Sequence, residues 1–395
     1  MPRIVHLGLG AFSRAHLCSY TQEAGGWSVT GVGLLPGDVV VRDAHPEKGF
    51  DLVLAHPSGQ RETQRITVVD EYLFADPGAV LARLVEDDTR IVSLTVTEGG
   101  WGVPASLEPD SALGLVVRGL AQRRAAGLPP YTVLSCDNVQ DNGHVAQRCV
   151  VAVADLLEPG LGAWVAEHVA FPSSMVDRIT PAPADQSVVV AEPFRQWAVE
   201  DRFPLGRPAW EDAGALLVDD VRPYELMKLR LLNAAHQALA FPALLLGHVF
   251  VHDAVGDLTG LLNAWWAEAL PTLDPVPGID LDEYTTTLLD RFGNAHVADT
   301  VARLACFASD RVAGFVLPVV RDNVAAGRPV DVAALVVAAW ARSLELDREV
   351  VDNRQVVPGE GVLDELGDLT PALRVRFGRA LEALREDPAR ALRVG

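Results

Sequence analysis

Hydrophobic positions in the first half of the chain alternate between short runs rich in β-branched residues and longer segments with a helical period. The short runs predict strands at Ile4–Leu9, Trp27–Leu34, Arg65–Val69, Arg90–Thr97, Thr132–Asp137 and Ser187–Ala191. The longer segments predict helices at Ala15–Glu23, Pro77–Glu86, Ser111–Ala125 and Val145–Leu157. Alternation of this kind is typical of a doubly wound, mostly parallel sheet. We therefore predict a Rossmann-like α/β domain over residues 1–221.

From about Arg222 onward the pattern is helical almost throughout. The predicted helices are Pro223–Leu239, Leu258–Ala269, Leu281–Arg291, Val297–Ala308, Phe315–Ala326, Val330–Glu345 and Pro371–Leu384. Joints rich in proline and glycine, such as Pro271–Gly278, separate several of them. We expect residues 222–395 to form a second, mostly α-helical domain.

The composition narrows the classes of function. Of the 395 residues, 49% are hydrophobic and 22% are charged, which is typical of a globular protein. The net charge of −20 argues against a protein that binds nucleic acid or an anionic membrane surface. A small-molecule substrate remains compatible with this charge, because a local cluster of basic residues can bind an anion.

The four cysteines, Cys18, Cys136, Cys149 and Cys306, are scattered and form no CxxC pair. Such usage is expected in a reducing compartment and argues against a cysteine-rich zinc site. We see no signal peptide and no apolar run of transmembrane length. We therefore expect a cytoplasmic protein, a monomer or a small homo-oligomer, with no membrane or nucleic-acid partner.

A glycine-rich turn follows the first predicted strand. Gly8 suits a tight turn, and Gly10 would let a pyrophosphate approach the backbone. Ala11 and Phe12 continue the turn into the next helix, and we assign them to the cofactor site as well. Ser13 replaces the third glycine of a full fingerprint, so the motif alone is weak. Its place after the first strand favours dinucleotide binding over a plain strand–helix turn.

Polar residues follow later strands. Asp38, after the second strand, is a candidate acceptor for the adenosine ribose hydroxyls and would favour NAD over NADP. The alternative is a turn-forming aspartate beside Pro36-Gly37. Thr97 and Glu98 come at the end of one strand, and Asn138 at the end of another. Since these strand ends border the ligand crevice, we assign Thr97 to the cofactor and Asn138 to a carbonyl or alkoxide oxygen.

The segment from Tyr224 to His236 carries a lysine, an amide and an imidazole. On an α-helix with about 100° per residue, Glu225 lies roughly 60° and His236 roughly 80° from Lys228. Asn233 lies roughly 140° away, at the rim of that face. A lysine on a partly apolar face can be desolvated and so become an acid–base catalyst. The alternative is an amphipathic helix with a surface Glu225–Lys228 pair and a core histidine.

Together these residues resemble the polyol-specific long-chain dehydrogenases, a family that includes mannitol, mannitol-1-phosphate and arabinitol dehydrogenases and the fructuronate and tagaturonate reductases. The matching segments are Gly8–His16, Thr95–Gly100, Ser135–Asn138, Phe171–Pro181, Glu192–Trp197 and the helix with Lys228, Asn233 and His236. The resemblance covers most of the chain, from Gly8 to about Gly327. It implies metal-independent hydride transfer between a secondary alcohol and NAD(P), with substrate and catalytic residues in the helical domain.

The resemblance implies a role for each catalytic residue. Lys228 matches the general base of alcohol oxidation, which is the acid of the reverse reduction. Asn138 and Asn233 match the pair that polarises the carbonyl and stabilises alkoxide charge. His236 resembles the residue that orients substrate hydroxyls.

The resemblance also implies a proton path and a substrate pocket. Glu98 and Glu225 resemble carboxylates that carry the proton of the lysine to solvent. Asp177 matches an acid of the pocket, Arg303 resembles a substrate-contacting arginine, and Arg311 stands where the family often has a lysine. On sequence alone the two arginines could equally be structural surface residues. A sugar acid would suit an arginine-lined pocket, whereas a neutral polyol would suit the commonest activity of the family.

The chemistry fits the resemblance. Hydride transfer needs a base poised near neutral pH and donors aimed at the developing oxyanion. The chain has no HExxH motif and no cluster with zinc-ligand spacing, so we expect no metal. The expected cofactor is NAD, with NADP as an alternative. Other classes are a Rossmann enzyme that uses bound NAD for a non-redox net reaction and a silent nucleotide-binding regulator, against which the intact set of catalytic residues argues.

Overall fold

The computed structural model of the chain describes residues 1–38, 41, 43, 49–74, 76–96, 100–181, 186–348, 350–352, 355–365 and 371–394. The chain forms two compact units, Met1–Arg222 and Pro223–Gly395. The first unit combines helices with sheets, and the second is almost entirely helical. The predicted fold class is confirmed.

The strands of the first unit are β1 (Arg3–Leu7), β2 (Ser28–Gly33), β3 (Phe50–Ala55), β4 (Arg61–Ile66), β5 (Val69–Phe74), β6 (Thr89–Leu94), β7 (Thr132–Ser135), β8 (Ser174–Asp177), β9 (Val188–Ala191), β10 (Gln196–Glu200) and β11 (Leu216–Val218). Five of them form a parallel sheet in the order β5-β2-β1-β6-β7. From β1 the chain adds β2 and β5 on one side of the sheet and then β6 and β7 on the other, so the strand order reverses at β1. Ligands of doubly wound sheets bind at the carboxyl ends of the strands beside such a switch point.

Two smaller sheets, β4-β3-β9 and β11-β10-β8, complete the first unit. The prediction of a single strand over Arg65–Val69 is wrong, because the chain there leaves β4 and enters β5. Most residues of β4 are exposed and polar, so the apolar alternation on which the prediction depends is missing. Its backbone pairs with β3 along its whole length, and this pairing makes it a strand.

The helices of the first unit are α1 (Ala11–Ala15), α2 (Leu17–Ala24), α3 (Pro77–Val85), α4 (Ala112–Ala125), α5 (Asn142–Leu157) and α6 (Leu161–His168). Successive residues of β1 enter different apolar clusters, Ile4 one and Val5 the other. Burial of each such side chain stabilises the fold by about 1.5–3 kcal/mol. The parallel sheet is therefore buried on both faces, so a ligand can reach it only at the ends of its strands.

The helices of the second unit are α7 (Arg222–Leu246), α8 (Val251–Ala269), α9 (Leu281–Phe292), α10 (Val301–Ala305), α11 (Ala308–Arg311), α12 (Leu317–Ala325), α13 (Asp331–Glu345), α14 (Val362–Glu365), α15 (Pro371–Glu386) and α16 (Pro388–Ala391). Two stretches are wound as π-helices, Lys228–Asn233 inside α7 and Val312–Val316 between α11 and α12. The two π turns pack against each other.

Helix α7 is longer than the sequence predicts. The sequence predicts an end at Leu239, but α7 continues past Pro242, a residue that normally breaks a helix, to Leu246 and stops at Gly247 with φ +85°. Nearly all of its last thirteen residues are buried, and this packing outweighs the backbone hydrogen bond lost at the proline. By length and composition α7 could also cross a membrane, but 89% of its apolar window is buried inside the protein, as in a core helix.

Candidate active site

The turn after β1 has the geometry of a phosphate-binding turn. Gly8 has φ +91°, and a Cβ atom there would lie 2.0 Å from the carbonyl oxygen of Thr95. Both facts require glycine at this position. At Gly10 the nearest atom to a Cβ would be the Gly8 oxygen, at 4.0 Å, so the space beside this backbone is open. A dinucleotide pyrophosphate needs such an approach at the start of the first helix.

Ser13 stands in the place of the third glycine, and its hydroxyl group finds a hydrogen-bond acceptor within the same turn. It is buried, and its Oγ donates to the carbonyl oxygen of Gly10 at 3.1 Å. Ala11 begins α1, and the Phe12 ring stacks on His16 with 5.2 Å between centroids. The residues predicted to hold the cofactor in this segment therefore form one compact turn.

Asp38 closes the turn that follows β2. Its Oδ2 accepts the backbone N–H groups of Leu34 and Leu35, both at 2.9 Å. A Cβ on Gly33 would lie 2.7 Å from the Cβ of Asp38, so glycine lets the aspartate pack against the strand end. This is the turn-forming role that the sequence left open. A ribose hydroxyl bound here would use the other carboxylate oxygen, Oδ1.

Thr97 and Glu98, which follow β6 in the sequence, lie outside the described residues. Their described neighbours are held by Asp137, which is buried at the end of β7. Its Oδ2 accepts the backbone N–H of Val96 at 3.0 Å and the indole N–H of Trp101 at 2.9 Å. Asp137 is therefore a structural anchor that fixes the edge of the predicted ligand crevice.

Asn138 directly follows Asp137 and is exposed. The neighbouring Asn142 is buried, and its amide donates to the carbonyl oxygens of Asp137 at 3.1 Å and Ser174 at 2.7 Å. These bonds tie the end of β7 to β8. Asp177, the predicted pocket acid, is the last residue of β8 and is buried. The hydrogen bonds of Asn142 therefore link the segment that carries Asn138 to the strand that carries Asp177.

The predicted catalytic segment of α7 is not a regular α-helix. Over Lys228–Asn233 it is a π-helix, in which Ala234 N–H donates to the carbonyl of Leu229, five residues earlier. In a π turn, residue i+5 takes the place above residue i that residue i+4 has in an α-helix. Asn233 therefore stands about 40° from Lys228 rather than roughly 140°. The predicted angle was wrong because it assumed the α-helical period through this turn.

The π turn places Lys228, Asn233, His236 and Glu225 on one face of α7. His236 follows Asn233 by three α-helical residues and returns to about 20° from Lys228, on the other side. Glu225 precedes Lys228 by three residues and lies about 60° away. Glu225, Lys228 and Asn233 are 7%, 8% and 6% exposed, so the alternative of a surface Glu225–Lys228 pair does not fit.

The imidazole of His236 is held neutral. Its Nε2 is buried and has no hydrogen-bond partner among the described residues. The pKa of His236 lies well below its ordinary value, first because burial disfavours the charged ring and second because cations surround it. These cations are Arg303, Arg291, Arg311 and Lys228. At neutral pH the ring can therefore form a hydrogen bond with a hydroxyl group without adding charge.

Both predicted substrate arginines are engaged with the protein. The guanidinium of Arg303 forms a two-point ion pair with Asp299, in which Nε lies 2.5 Å from Oδ1. The Asp299 side chain is 8% exposed and that of Arg303 is 44% exposed. Arg311 donates from Nη1 to the carbonyl oxygens of Arg303 at 3.1 Å and Leu304 at 3.0 Å. Asp299 was not predicted, although its i,i+4 spacing from Arg303 is a recognisable signal.

The predicted site residues thus fall into two sets. The first unit holds the glycine turn, Asp38, Asn138 and Asp177, and the second unit gathers the lysine, amide, imidazole and arginines near one face of α7. In the part of the chain that the structure describes, no group of three or more His, Cys, Asp or Glu side chains is arranged to hold a metal ion.

Comparison with known proteins identifies both halves of the chain. The model of the mannitol dehydrogenase Rossmann domain matches residues 2–212, and that of the mannitol dehydrogenase C-terminal domain matches residues 220–353. The chain is 38% identical to mannitol 2-dehydrogenase of Cereibacter sphaeroides over 383 residues, covering 86% of this chain and 80% of that protein. It is 36% identical to the polyol:NADP oxidoreductase of Gluconobacter oxydans, covering 87% of this chain and 80% of that one.

Solved structures agree. The mannitol 2-dehydrogenase of Pseudomonas fluorescens, in a ternary complex with NAD and D-mannitol, has a TM-score of 0.85 and 34% identity, covering 99% of this chain and 93% of that one. A D-sorbitol dehydrogenase in substrate-free form has a TM-score of 0.88 and 30% identity, covering 100% and 95%. The family resemblance carried by the motifs is confirmed.

Proposed function

Because this chain belongs to the mannitol dehydrogenase family, we propose that it oxidises a polyol to a keto-sugar with NAD, and catalyses the reverse reduction, without a metal. The enzyme is an NAD(P)-dependent oxidoreductase that acts on polyols. The observation that carries the mechanism is the π turn, since it places Lys228, Asn233 and His236 on one buried face. We also propose that residues 1–221 form the cofactor domain, with Glu98, Asn138 and Asp177 as additional catalytic and substrate residues, and that residues 222–395 form the main substrate and catalytic domain.

The glycine turn of the first unit fits the cofactor. Gly8 is fixed by its backbone, and the space beside Gly10 is open where a pyrophosphate would lie. When bound, NAD supplies the hydride acceptor of the alcohol oxidation. Asp38 would accept a ribose hydroxyl through Oδ1, which favours NAD because its carboxylate repels the 2′-phosphate of NADP. Thr97 remains assigned to the cofactor from its sequence position.

We assign the proton transfer to Lys228. Lys228 is 8% exposed and lies with Asn233 and His236 on the face that the π turn creates. In oxidation the neutral amine takes the hydroxyl proton of the substrate, and in reduction the ammonium returns it. Glu225, on the same face, would pass the proton onward to solvent, and Glu98 is assigned the same role from its sequence position.

The amides of Asn233 and Asn138 and the imidazole of His236 are assigned hydrogen bonds to the oxygen atoms of the substrate. Asn233, brought beside Lys228 by the π turn, would donate to the carbon-bound oxygen as it gains negative charge. Asn138 is assigned to the same oxygen. Neutral His236 would hold a neighbouring hydroxyl through Nε2, and Asp177 would accept from another.

A neutral substrate suits this face better than a sugar acid. Arg303 is already neutralised by the buried carboxylate of Asp299, and Arg311 donates to two backbone carbonyls. An anionic substrate would have to compete with Asp299 for the guanidinium of Arg303. The ion pair therefore favours polyols and keto-sugars over reduced sugar acids and sugar phosphates.

The absorbance of reduced nicotinamide in the near ultraviolet tests the proposal. NAD and NADP are each offered with mannitol, sorbitol, arabinitol and mannitol 1-phosphate, and NADH with fructose, fructuronate and tagaturonate. We expect turnover with NAD and at least one neutral polyol, and with NADH and its keto-sugar. Turnover confined to the acids or the phosphate would contradict the assignment of Asp299, and no turnover with any substrate would contradict the reaction class.

We also propose a cytoplasmic location and a small-molecule substrate as the principal partner, in a monomer or a small homo-oligomer. All four cysteines are free thiols, three of them buried, which fits a reducing compartment.

A further inference from the structure

The π turn that carries Lys228 and Asn233 is braced by a neighbouring helix. Trp265 and Trp266 are consecutive residues of α8 and are almost completely buried, at 0% and 3% exposed. The indole N–H of Trp265 donates to the carbonyl oxygen of Arg230 at 3.0 Å, and that of Trp266 to Leu231 at 2.8 Å. Both acceptors lie inside the π turn, so two adjacent indoles bind two adjacent carbonyls of it.

The side chain of Arg230, within the π turn, makes a third contact with the surrounding helices. Arg230 is 8% exposed, and its Nη1 donates to the carbonyl oxygen of Thr272 at 2.5 Å and lies 2.7 Å from Oδ2 of Asp322. Thr272 ends the short 3-10 turn that follows α8, and Asp322 lies on α12. The π turn is therefore held through two consecutive residues, Arg230 and Leu231, by partners on α8, on the turn after it and on α12.

A π turn needs such support. Its hydrogen-bond ladder is strained relative to that of an α-helix, and π turns occur mostly as single turns, often at functional sites. Without external donors this segment would gain by shifting toward α-helical winding, which would rotate Asn233 from about 40° to roughly 140° away from Lys228.

We propose that Trp265 and Trp266 are positioning residues for the reaction, because their indole N–H groups hold the π turn that aligns Lys228 with Asn233. This rests on the proposed role of Lys228. Neither indole touches the substrate in this account; both act through the backbone of the turn. Loss of an indole donor therefore lowers the rate of the chemical step without affecting the cofactor residues of the first unit.

The chain offers a matched control. Trp340 on α13 is also completely buried in the second unit, but its indole nitrogen has no hydrogen-bond partner in the described part of the chain. It packs against Phe241 of α7, with ring centroids 6.1 Å apart. Trp340→Phe removes the same ring area as Trp265→Phe or Trp266→Phe, but breaks no bond to the π turn.

The first measurement is steady-state kinetics of polyol oxidation by wild type and the three Trp→Phe variants. We expect kcat to fall about tenfold in Trp265→Phe and Trp266→Phe, with the KM for NAD within about twofold of wild type. Trp340→Phe should keep kcat within about twofold. Trp265→His and Trp266→His, which retain a ring N–H, should recover part of the loss.

The second measurement is hydrogen–deuterium exchange of the peptide that contains Lys228–Asn233, and it does not require activity. Exchange there should accelerate in both Trp→Phe variants and not in Trp340→Phe. If wild type oxidises polyols and Lys228→Ala does not, yet both variants match Trp340→Phe in kcat and in exchange, the positioning role is wrong. If wild type turns over no polyol, the proposed function fails, while the exchange still decides whether the indoles hold the turn. If one of the two Trp→Phe variants fails to fold, the other decides both measurements, since each indole donates to its own carbonyl of the π turn.

Discussion

Among the single residues, Asp299 sets the charge that Arg303 presents at the candidate site. His236 is neutral because it is buried among cations, and Lys228 shares that environment. Of these cations, Arg303 is compensated by a buried carboxylate through a two-point ion pair. The choice between a neutral polyol and an anionic sugar therefore depends on a residue that the sequence pattern did not single out.

Asp299→Asn should shift the enzyme toward anionic substrates. The amide keeps the shape of the carboxylate but leaves the charge of Arg303 uncompensated, so kcat/KM for a keto sugar acid should rise about tenfold relative to that for a neutral keto-sugar. The measurement is the ratio of the two kcat/KM values. Asp331→Asn, which breaks the ion pair of Asp331 with Arg376, should leave the ratio unchanged. An unchanged ratio in Asp299→Asn would remove Asp299 from the control of specificity.

At the scale of elements, two local backbone geometries set up the site. The turn from β1 into α1 depends on a positive φ at Gly8 and on open space at Gly10. The π turn of α7 depends on bonds from another helix. The first geometry is encoded locally, and the second is imposed by packing.

Alanine at Gly8 should lower the stability of the fold, whereas alanine at Gly10 should weaken the binding of NADH. Gly8→Ala puts a Cβ 2.0 Å from the Thr95 carbonyl at φ +91°, so the free energy of unfolding should fall by about 2 kcal/mol or more. Gly10→Ala meets no close atom in the protein, so its unfolding midpoint should stay near that of wild type while NADH binds at least about tenfold more weakly. Thermal unfolding and NADH fluorescence titration separate the two effects. Equal NADH affinity in Gly10→Ala and wild type would place the pyrophosphate elsewhere.

The sequence predicts those parts of the structure that depend on local residues and misses those that depend on packing between distant segments. Four of the five parallel strands, β1, β2, β6 and β7, could be predicted because they are buried runs rich in β-branched residues. The glycine turn could be predicted because Gly8 suits a tight turn directly after a strand. The β3–β4 hairpin could not, since the exposed β4 carries no apolar alternation. The π turn could not either, because nothing between Lys228 and Asn233 differs in composition from an α-helix, and the indoles that hold it lie 35 residues away in the chain.

For the molecule as a whole, a net charge of −20 coexists with a local cluster of cations in the second unit. The fold also encloses histidines that are neutral when buried. Burial lowers the pKa of His6 to about 4 and that of His16 to about 3. Both lie in the first unit, beside the sheet and the turn that support the cofactor residues.

These histidines make the fold sensitive to acid. Their pKa values are lower in the folded chain than the ordinary 6.5, so their contribution is full above pH 6.5 and is lost as the pH falls toward 4 and 3. For His6 the loss amounts to about 3 kcal/mol. Denaturant unfolding between pH 7 and pH 4 should therefore show a steep fall in stability that is smaller in His6→Asn. The exposed His144→Asn should follow wild type, and equal pH dependence in all three proteins would contradict this origin.

The role of Lys228 in proton transfer is tested by the turnover of Lys228→Ala, measured together with its NADH affinity. We expect kcat for polyol oxidation to fall by at least about 10²–10⁴-fold. The dissociation constant for NADH should stay within about twofold, because the glycine turn and Asp38 are in the other unit. Near-normal turnover of Lys228→Ala with intact NADH binding would show that another group moves the proton and that Lys228 is not the acid–base catalyst.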